Sequence, residues 1–192
     1  MTRENALSII KAHGIIDKVV IIGLRSKSSQ RGKYNDVISI FTPDTYKEFK
    51  GNTLPSKAAP GLAVLQPGAW TYKKGLHGIH HLGGSPADQA ILKKLYQTSK
   101  DVSPIPGRIL PYFAFRQAGP VSILRDGHLS PETITDPASW PWIDIHHGGY
   151  NLTSSEGCQT IYPDHWNEFR DMGFGSMEKY QQAEIKYILV QL

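Results

Sequence analysis

Short apolar runs alternate with turn-forming residues along most of the 192-residue chain. Runs rich in β-branched and aromatic residues are typical of strands, and Gly, Pro and Asp mark the turns between them. The predicted strands lie at 19–24, 37–41, 61–65, 70–72, 112–116, 121–125, 142–146 and 185–190. Gln66-Pro67-Gly68 predicts a hairpin between the third and fourth of these, and Asp126-Gly127 predicts a turn after the sixth.

Apolar residues at helical spacing predict three helices, at 5–13, at 86–98 and from Pro163 to about Met172. Asn5 is the expected cap of the first helix. The strands are not separated by regular crossover helices, which argues against a doubly wound parallel sheet. We expect one β-rich α+β domain over 1–192, built on a curved sheet or small sandwich, with a helical insertion near 82–110.

Composition narrows the class of protein. Apolar residues make up 40% and charged residues 20%, as in a globular domain rather than a disordered chain. The single cysteine excludes an intramolecular disulfide and a cysteine-based zinc site. No apolar run reaches the roughly 20 residues of a membrane span, and residues 1–11 lack a secretory signal pattern. We therefore expect synthesis in the cytoplasm and no membrane span.

The net charge of +4 is concentrated early, where Arg25, Lys27, Arg31 and Lys33 lie close together. This suits either a solvated loop or a mild preference for polyanions. The sequence contains no zinc-finger spacing and no aromatic RNA-binding strand pattern, so we expect no nucleic-acid partner.

The only cysteine, Cys158, follows a histidine pair, His146 and His147, after a loop of small and polar residues. This arrangement suits acyl transfer, because a thiolate is the nucleophile and a nearby imidazole can accept its proton. Gly157 gives the backbone freedom to turn N–H groups toward an oxyanion. If the strand continues through both histidines, only one of them faces the cysteine. A lone cysteine is more often a buried small hydrophobe, but the polar neighbours of Cys158 favour a site.

A second histidine group contains His77, His80 and His81. Histidines three or four residues apart on a helix can bind zinc, but the glycines in this segment argue against a helix. A zinc peptidase that uses these histidines with Asp144, His146 and His147 remains an alternative. We expect His77 to line the cleft, because the strand before it leads there, and we expect neither a bound metal nor a cofactor.

Ser155-Glu156-Gly157-Cys158, after a histidine and glycines at the end of a strand, resembles the active-site motif of the L,D-transpeptidase catalytic domain. That family has a His-Gly pair, a loop and then Ser-His-Gly-Cys. The resemblance implies a β-sandwich-like fold and a cysteine that is acylated by a peptidoglycan stem peptide. The variant with Gln159-Thr160 after the cysteine is also similar to bacteriophage and prophage proteins, for which a cell-wall-lytic, endolysin-like role is expected.

Carried onto this chain, the resemblance makes Cys158 the nucleophile and His146 the base, with His147 as the open alternative. It implies a monomer that acts on stem peptides in the bacterial wall, in the periplasm. The residues expected to bind substrate or the oxyanion are Gly157, Ser155, Glu156, Gly149, His147 and His77. Glu156 stands where the family has histidine, which leaves a further alternative, a non-catalytic wall-binding module on a degenerate enzyme scaffold.

Overall fold

The computed structural model describes residues 1–126, 128–130 and 141–192, and the segment 128–130 is described by its backbone alone. The helices are α1 (Arg3–Ala12), α2 (Pro86–Thr98) and α3 (Pro163–Lys179). The strands are β1 (Val20–Arg25), β2 (Asp36–Phe41), β3 (Tyr46–Asn52), β4 (Val64–Leu65), β5 (Gly68–His77), β6 (Tyr112–Gln117), β7 (Ile123–Arg125), β8 (His128–Ser130), β9 (Ile145–His147), β10 (Gln159–Ile161) and β11 (Glu184–Gln191).

Eight strands close into a ring in the order β1-β11-β5-β6-β9-β10-β3-β2, while β4, β7 and β8 form a separate small sheet. Two neighbouring pairs in the ring, β1 with β11 and β9 with β10, are parallel, and the others are antiparallel. The expected β-rich α+β fold with few helices is confirmed for the described residues. The main sheet is curved and closes on itself into a barrel of eight strands.

The side chains of β1 alternate between two apolar clusters, as the pleat of a strand requires. Ile21 belongs to the main core, which also contains residues of α3. Val20 and Ile22 lie in a second cluster together with Ala6 and Ile10 of α1. The helix begins earlier than the sequence predicts, because the side chain of Thr2 accepts a hydrogen bond from the backbone N–H of Asn5 and so caps it.

The predicted insertion at 82–110 lies between two paired strands, β5 and β6, and carries α2. Ser85 and Asp88 form a reciprocal capping box at the N-terminus of α2. Leu95 of α2 packs against Leu76 and Phe113 of the strands below, and this contact attaches the insertion to the sheet.

The predicted hairpin around Gln66-Pro67-Gly68 is wrong. β4 pairs with β7, whereas β5 pairs with β11 and β6. The chain passes from one sheet to the other at this point, and the Trp70 indole N–H donates to the Gln66 carbonyl across the turn. The turn signal was therefore correct, but it could not specify which strands were partners. The turn predicted at Asp126-Gly127 includes Gly127, which lies outside the described residues.

Several elements differ from the prediction. β8 and β10 were not predicted, and the strands predicted at 61–65 and 142–146 are shorter, Val64–Leu65 and Ile145–His147. β3 was missed because only Phe49 among its large apolar side chains is buried, while Glu48 and Lys50 are exposed. α3 continues past Met172 to Lys179. Its Gly173 packs against Phe115, where an added Cβ would lie 2.5 Å from the ring, so close packing offsets the low helix propensity of glycine.

No helix of the described residues has both the length and the apolar character that crossing a membrane requires.

Candidate functional site

The parallel pairing of β9 with β10 brings the cysteine beside the histidine strand. Gln159 is opposite Ile145 and Thr160 is opposite His146, and the Gln159 N–H donates to the Asp144 carbonyl at 2.8 Å. One residue before this ladder, the Asp144 N–H donates to Cys158 Sγ at 3.4 Å. Because Ile145 is in the core, alternation puts Asp144 and His146 on the opposite face, the face next to Cys158.

The turn before Cys158 is closed by Ser155. The Ser155 hydroxyl donates to the Cys158 carbonyl at 2.7 Å and accepts from the Gly157 N–H at 3.0 Å. Gly157 has φ +154°, and a Cβ there would lie 2.8 Å from the Ala63 carbonyl. The Gly157 N–H, which was expected to face an oxyanion, thus donates to Ser155 inside the turn instead. Glycine at this position meets a steric need.

The loop between the histidines and the cysteine is also held from outside. The Tyr34 hydroxyl donates to the Gly149 carbonyl at 2.8 Å, and the Gly148 N–H donates to the Ile161 carbonyl at 2.9 Å. The Ser56 N–H donates to the Ser155 carbonyl at 2.7 Å. These bonds fix the loop against three separate parts of the fold, so the cysteine is presented from an ordered frame.

His146 is buried, and its Nδ1 lies 2.6 Å from the carbonyl oxygen of His147. A carbonyl can only accept, so this contact assigns the proton to Nδ1 and leaves a lone pair on Nε2. Burial, with a further contribution from His77, lowers the pKa of His146 to about 3. His146 is therefore a neutral imidazole near pH 7. The carbonyl that orients it belongs to His147 rather than to the expected Gly148-Gly149 turn.

The Asp144 side chain contacts two other ionisable side chains at the site. Its side chain is fully buried, and one carboxylate oxygen contacts both His77 Nδ1, at 2.8 Å, and the Arg116 guanidinium. The other oxygen accepts from the Gln117 N–H at 3.2 Å. The Arg116 guanidinium also lies over the Trp142 ring, 4.7 Å from its centroid. Three strand-borne partners thus compensate the burial of this carboxylate.

The two imidazoles of His77 and His146 are stacked, with ring centroids 4.3 Å apart and planes 18° apart. Both rings line a cavity of about 430 Å³. The other lining residues are Gly78, His81, Ile109, Leu110, Tyr112, His147, Gly148, Gly149 and Ser154. Both His146 and His147 line this cavity, although alternation along β9 places their side chains on opposite faces of the strand.

The structure thus brings three of the six predicted binding residues to the cavity. His77, His147 and Gly149 line it, as does the predicted base His146, whereas Cys158 is not one of its lining residues. Ser155 and Gly157 instead form the turn that supports Cys158, and Glu156 is exposed.

Cys158 is half-buried, and its thiol lies 3.6 Å from the Trp142 carbonyl. Burial raises the pKa of the thiol to about 12, and the negative charge of Asp144 adds to the effect. The resting site therefore contains a neutral thiol and a neutral imidazole. A preformed thiolate–imidazolium pair, as in cysteine sites with a depressed thiol pKa, does not describe it.

The second histidine group does not assemble a metal centre in the part of the chain described, where no three His, Cys, Asp or Glu side chains are grouped to hold an ion. His80 and His81 lie in an exposed 3₁₀ turn, Ile79–His81, with their ring centroids 4.0 Å apart. His77 is separated from that pair in its contacts, because its Nδ1 faces Asp144.

Sequence reasoning missed Arg116 and Tyr112. Both lie on β6, which pairs with β5 so that Tyr112 is opposite His77. The Tyr112 hydroxyl lies 3.3 Å from His146 Nδ1. A signal was available in the alternation of this strand, where Phe113 and Phe115 take one face and these polar side chains take the other.

No family model, no curated protein and no solved structure matches this chain. The resemblance to L,D-transpeptidases therefore depends on the motif residues alone.

Proposed function

We propose that this chain is a peptidoglycan-active cysteine enzyme with an L,D-transpeptidase-like catalytic fold. In this proposal Cys158 is acylated by a stem peptide, and the acyl group is then hydrolysed or transferred. The observation that carries the proposal is the parallel register of β9 and β10. It sets Cys158 beside Asp144, two residues before His146, and the His146 imidazole lines the cavity.

The chemistry begins with proton transfer from the Cys158 thiol to Nε2 of His146, as Sγ attacks the peptide carbonyl carbon. The C–N bond then breaks, and the imidazolium returns its proton to the leaving amine. A thioester remains. In hydrolysis, water attacks the thioester, His146 accepts a proton from that water, and the thiolate leaves and takes the proton back.

The neutral state of the Cys158 thiol before substrate binds affects when its proton is transferred. A raised pKa for Cys158 and a lowered pKa for His146 both disfavour charge separation before substrate is present. We therefore couple thiol deprotonation to attack on the carbonyl instead of assigning a standing thiolate. Substrate that fills the cavity excludes water and aligns the carbonyl, which is the contribution that positioning makes to such a step.

We favour hydrolysis with water as the acceptor, in an endolysin-like enzyme that acts on the bacterial wall. Glu156 in place of the family histidine supports this choice, because it alters the motif beside the nucleophile.

The test is product release from muropeptides, followed by mass spectrometry. The parent protein should release peptide products, and Cys158→Ala should release none. Since Cys158 is the only cysteine of the chain, iodoacetamide should abolish activity by modifying this one thiol. Product release by Cys158→Ala at the rate of the parent would overturn the proposal.

A matched pair of substitutions tests the base. His146→Phe should remove turnover, because no lone pair remains to accept the thiol proton. His13→Phe makes the same replacement at an exposed histidine beyond the end of α1 and should retain it. Equal turnover in the two variants would exclude His146 as the base.

A second candidate is a non-catalytic wall-binding module. The raised pKa of Cys158 favours it, because an unactivated thiol is what such a module would carry. It predicts that purified sacculi sediment the parent protein and Cys158→Ala equally, with no peptide released by either. Peptide release by the parent alone would exclude it.

A further inference from the structure

The carboxylate of Asp144 ties two side chains of the ring strands to the strand that carries the proposed base. It contacts His77 of β5 and Arg116 of β6, and Asp144 itself directly precedes β9. The Asp144 side chain is fully buried, whereas the side chains of His77 and Arg116 are each 23% exposed. The buried carboxylate thus fixes two partly exposed partners, of which His77 lines the cavity.

The His77 ring has two constraints that act in different directions. Its Nδ1 is held at 2.8 Å from Asp144, which fixes rotation of the imidazole about its own axis. Its face lies against the face of His146, 18° from parallel. A histidine whose one nitrogen meets a carboxylate presents a defined ring plane to its neighbour.

His146 depends on such a neighbour. Its Nδ1 contacts the carbonyl of the next residue on the same strand, which anchors one ring atom. The Tyr112 hydroxyl approaches the same nitrogen at 3.3 Å, so both polar contacts act at one edge of the ring. The stack with His77 is the contact that fixes the tilt of the ring and therefore the direction of Nε2.

We infer that His77, fixed by Asp144, is a positioning residue that holds the His146 imidazole in its working orientation. The inference rests on the proposed function for its effect on turnover. It revises the role that the sequence suggested for His77, which was direct contact with substrate or an oxyanion.

Removal of His77 also has a pH effect of defined direction. His77 contributes to the lowered pKa of His146, because a proton on His146 is disfavoured beside the stacked imidazole. Without His77, His146 binds a proton more readily, and the acid limb of activity moves to higher pH. The charged or titratable groups that act on His146 are His77 of β5, Tyr112 and Arg116 of β6, and His147 on its own strand. Asp144, two residues before His146, contacts His77 and Arg116, and its N–H contacts Cys158.

Two variants separate the two contributions of His77. His77→Asn keeps an amide N–H that can donate to Asp144 but has no ring to stack, so turnover should fall about 10- to 100-fold, the range expected for a misaligned group. His77→Phe keeps a flat ring but removes the ring nitrogens. Its acid limb should move upward by about 0.5–1 pH unit, with a smaller loss of turnover. His13→Phe should change neither quantity.

Nitrogen-15 NMR of the imidazoles supplies a readout that needs no substrate. The His146 signal, assigned by its loss in His146→Gln, should report the Nδ1–H tautomer in the parent, and its pKa should rise in His77→Phe. Far-UV circular dichroism and thermal melting should show that both variants are folded.

An unchanged His146 signal and an unchanged pH profile in both folded variants would overturn this inference while leaving the requirement for Cys158 intact. A parent protein that releases no peptide would instead overturn the proposed function, and the NMR experiment would still decide whether His77 controls His146. The two failures are therefore distinguishable.

Discussion

Asp36 and Asp144 are the two most deeply buried carboxylates of the described residues, and they differ in what surrounds them. Asp36 is 2% exposed and Asp144 is 0% exposed. Asp36 accepts hydrogen bonds from the backbone and hydroxyl of Thr53, from the Ser29 hydroxyl and from the Ser26 N–H. Both carboxylates are therefore saturated with donors, as burial of charge requires.

The difference lies in the cations. Arg25, 6% exposed, donates to the Thr53 hydroxyl at 2.9 Å, and that hydroxyl donates on to Asp36 at 2.6 Å. The cation and the anion are thus joined through one buried hydroxyl. Around Asp144 the partners His77 and Arg116 are partly exposed. Burial of a carboxylate by itself therefore does not identify a functional site, and Asp144 differs from Asp36 in that its partner His77 lines the cavity.

The largest effect is expected from breaking the hydrogen bonds that join Asp36, Thr53 and Arg25. Thr53→Val removes a hydroxyl that donates to Asp36 and accepts from Arg25, and both are charge-assisted bonds. The free energy of unfolding should fall by about 3 kcal/mol, measured by urea denaturation. Thr98→Val, at an exposed hydroxyl of α2, should change it by less than about 0.5 kcal/mol. Similar values for the two variants would contradict this account.

The next largest effect is expected at Gly148, in the loop between the histidine pair and Cys158. A Cβ on Gly148 would lie 1.9 Å from the Tyr34 hydroxyl and 2.8 Å from the Thr153 carbonyl. Gly148→Ala should cost about 2 kcal/mol of stability and lower turnover, because Tyr34 must move. Gly175→Ala, in α3 with nothing within 4 Å of its Cβ, should be neutral or stabilising in the same melt. Loss of stability in Gly175→Ala alone would refute the steric argument.

The third prediction concerns how the free energy of unfolding depends on pH because of the buried His146. Its pKa is about 3 in the folded protein, below the ordinary value of 6.5, so its neutral form stabilises the fold above pH 6.5. That contribution is lost progressively as the pH falls from 6.5 toward 3. Between pH 6 and pH 5 the loss should be about 1 kcal/mol. Denaturant titrations at each pH should show a shallower decline in His146→Gln, and parallel declines would rule this out.

The smallest effect is expected at the edge of the same ring. Tyr112→Phe removes a hydroxyl 3.3 Å from His146 Nδ1, a long contact. The free energy of unfolding should fall by about 0.5 kcal/mol. Tyr96→Phe, at an exposed position of α2, is the matched control and should leave it unchanged. A larger loss at Tyr96 than at Tyr112 would show that the hydroxyl contact contributes nothing.

Sequence reasoning succeeded where the signal is local. The β-branched runs of β1 and β2 and the capped helix α2 were predictable because each carries its own pattern. It failed at β4 and β5, because a turn signal gives a change of direction and not the identity of the partner strand.

The candidate site divides in the same way. The cysteine and the histidine pair belong to one segment and were identified as a motif. The partners of Asp144 lie 28 and 67 residues away, on two other strands, and only the register of the closed sheet brings them together. Hydrophobic pattern specifies which face a side chain takes, but it does not specify which distant side chain it meets.

The last strand, β11, is inserted between β1 and β5, parallel to one and antiparallel to the other. A chain that lacked it would leave two strands with unpaired backbone edges, and such edges recruit foreign strands. The same gap would accept a short peptide with the sequence of β11, supplied separately. Mixing the two fragments should then reconstitute the whole protein, and folding would depend on the added β11 peptide.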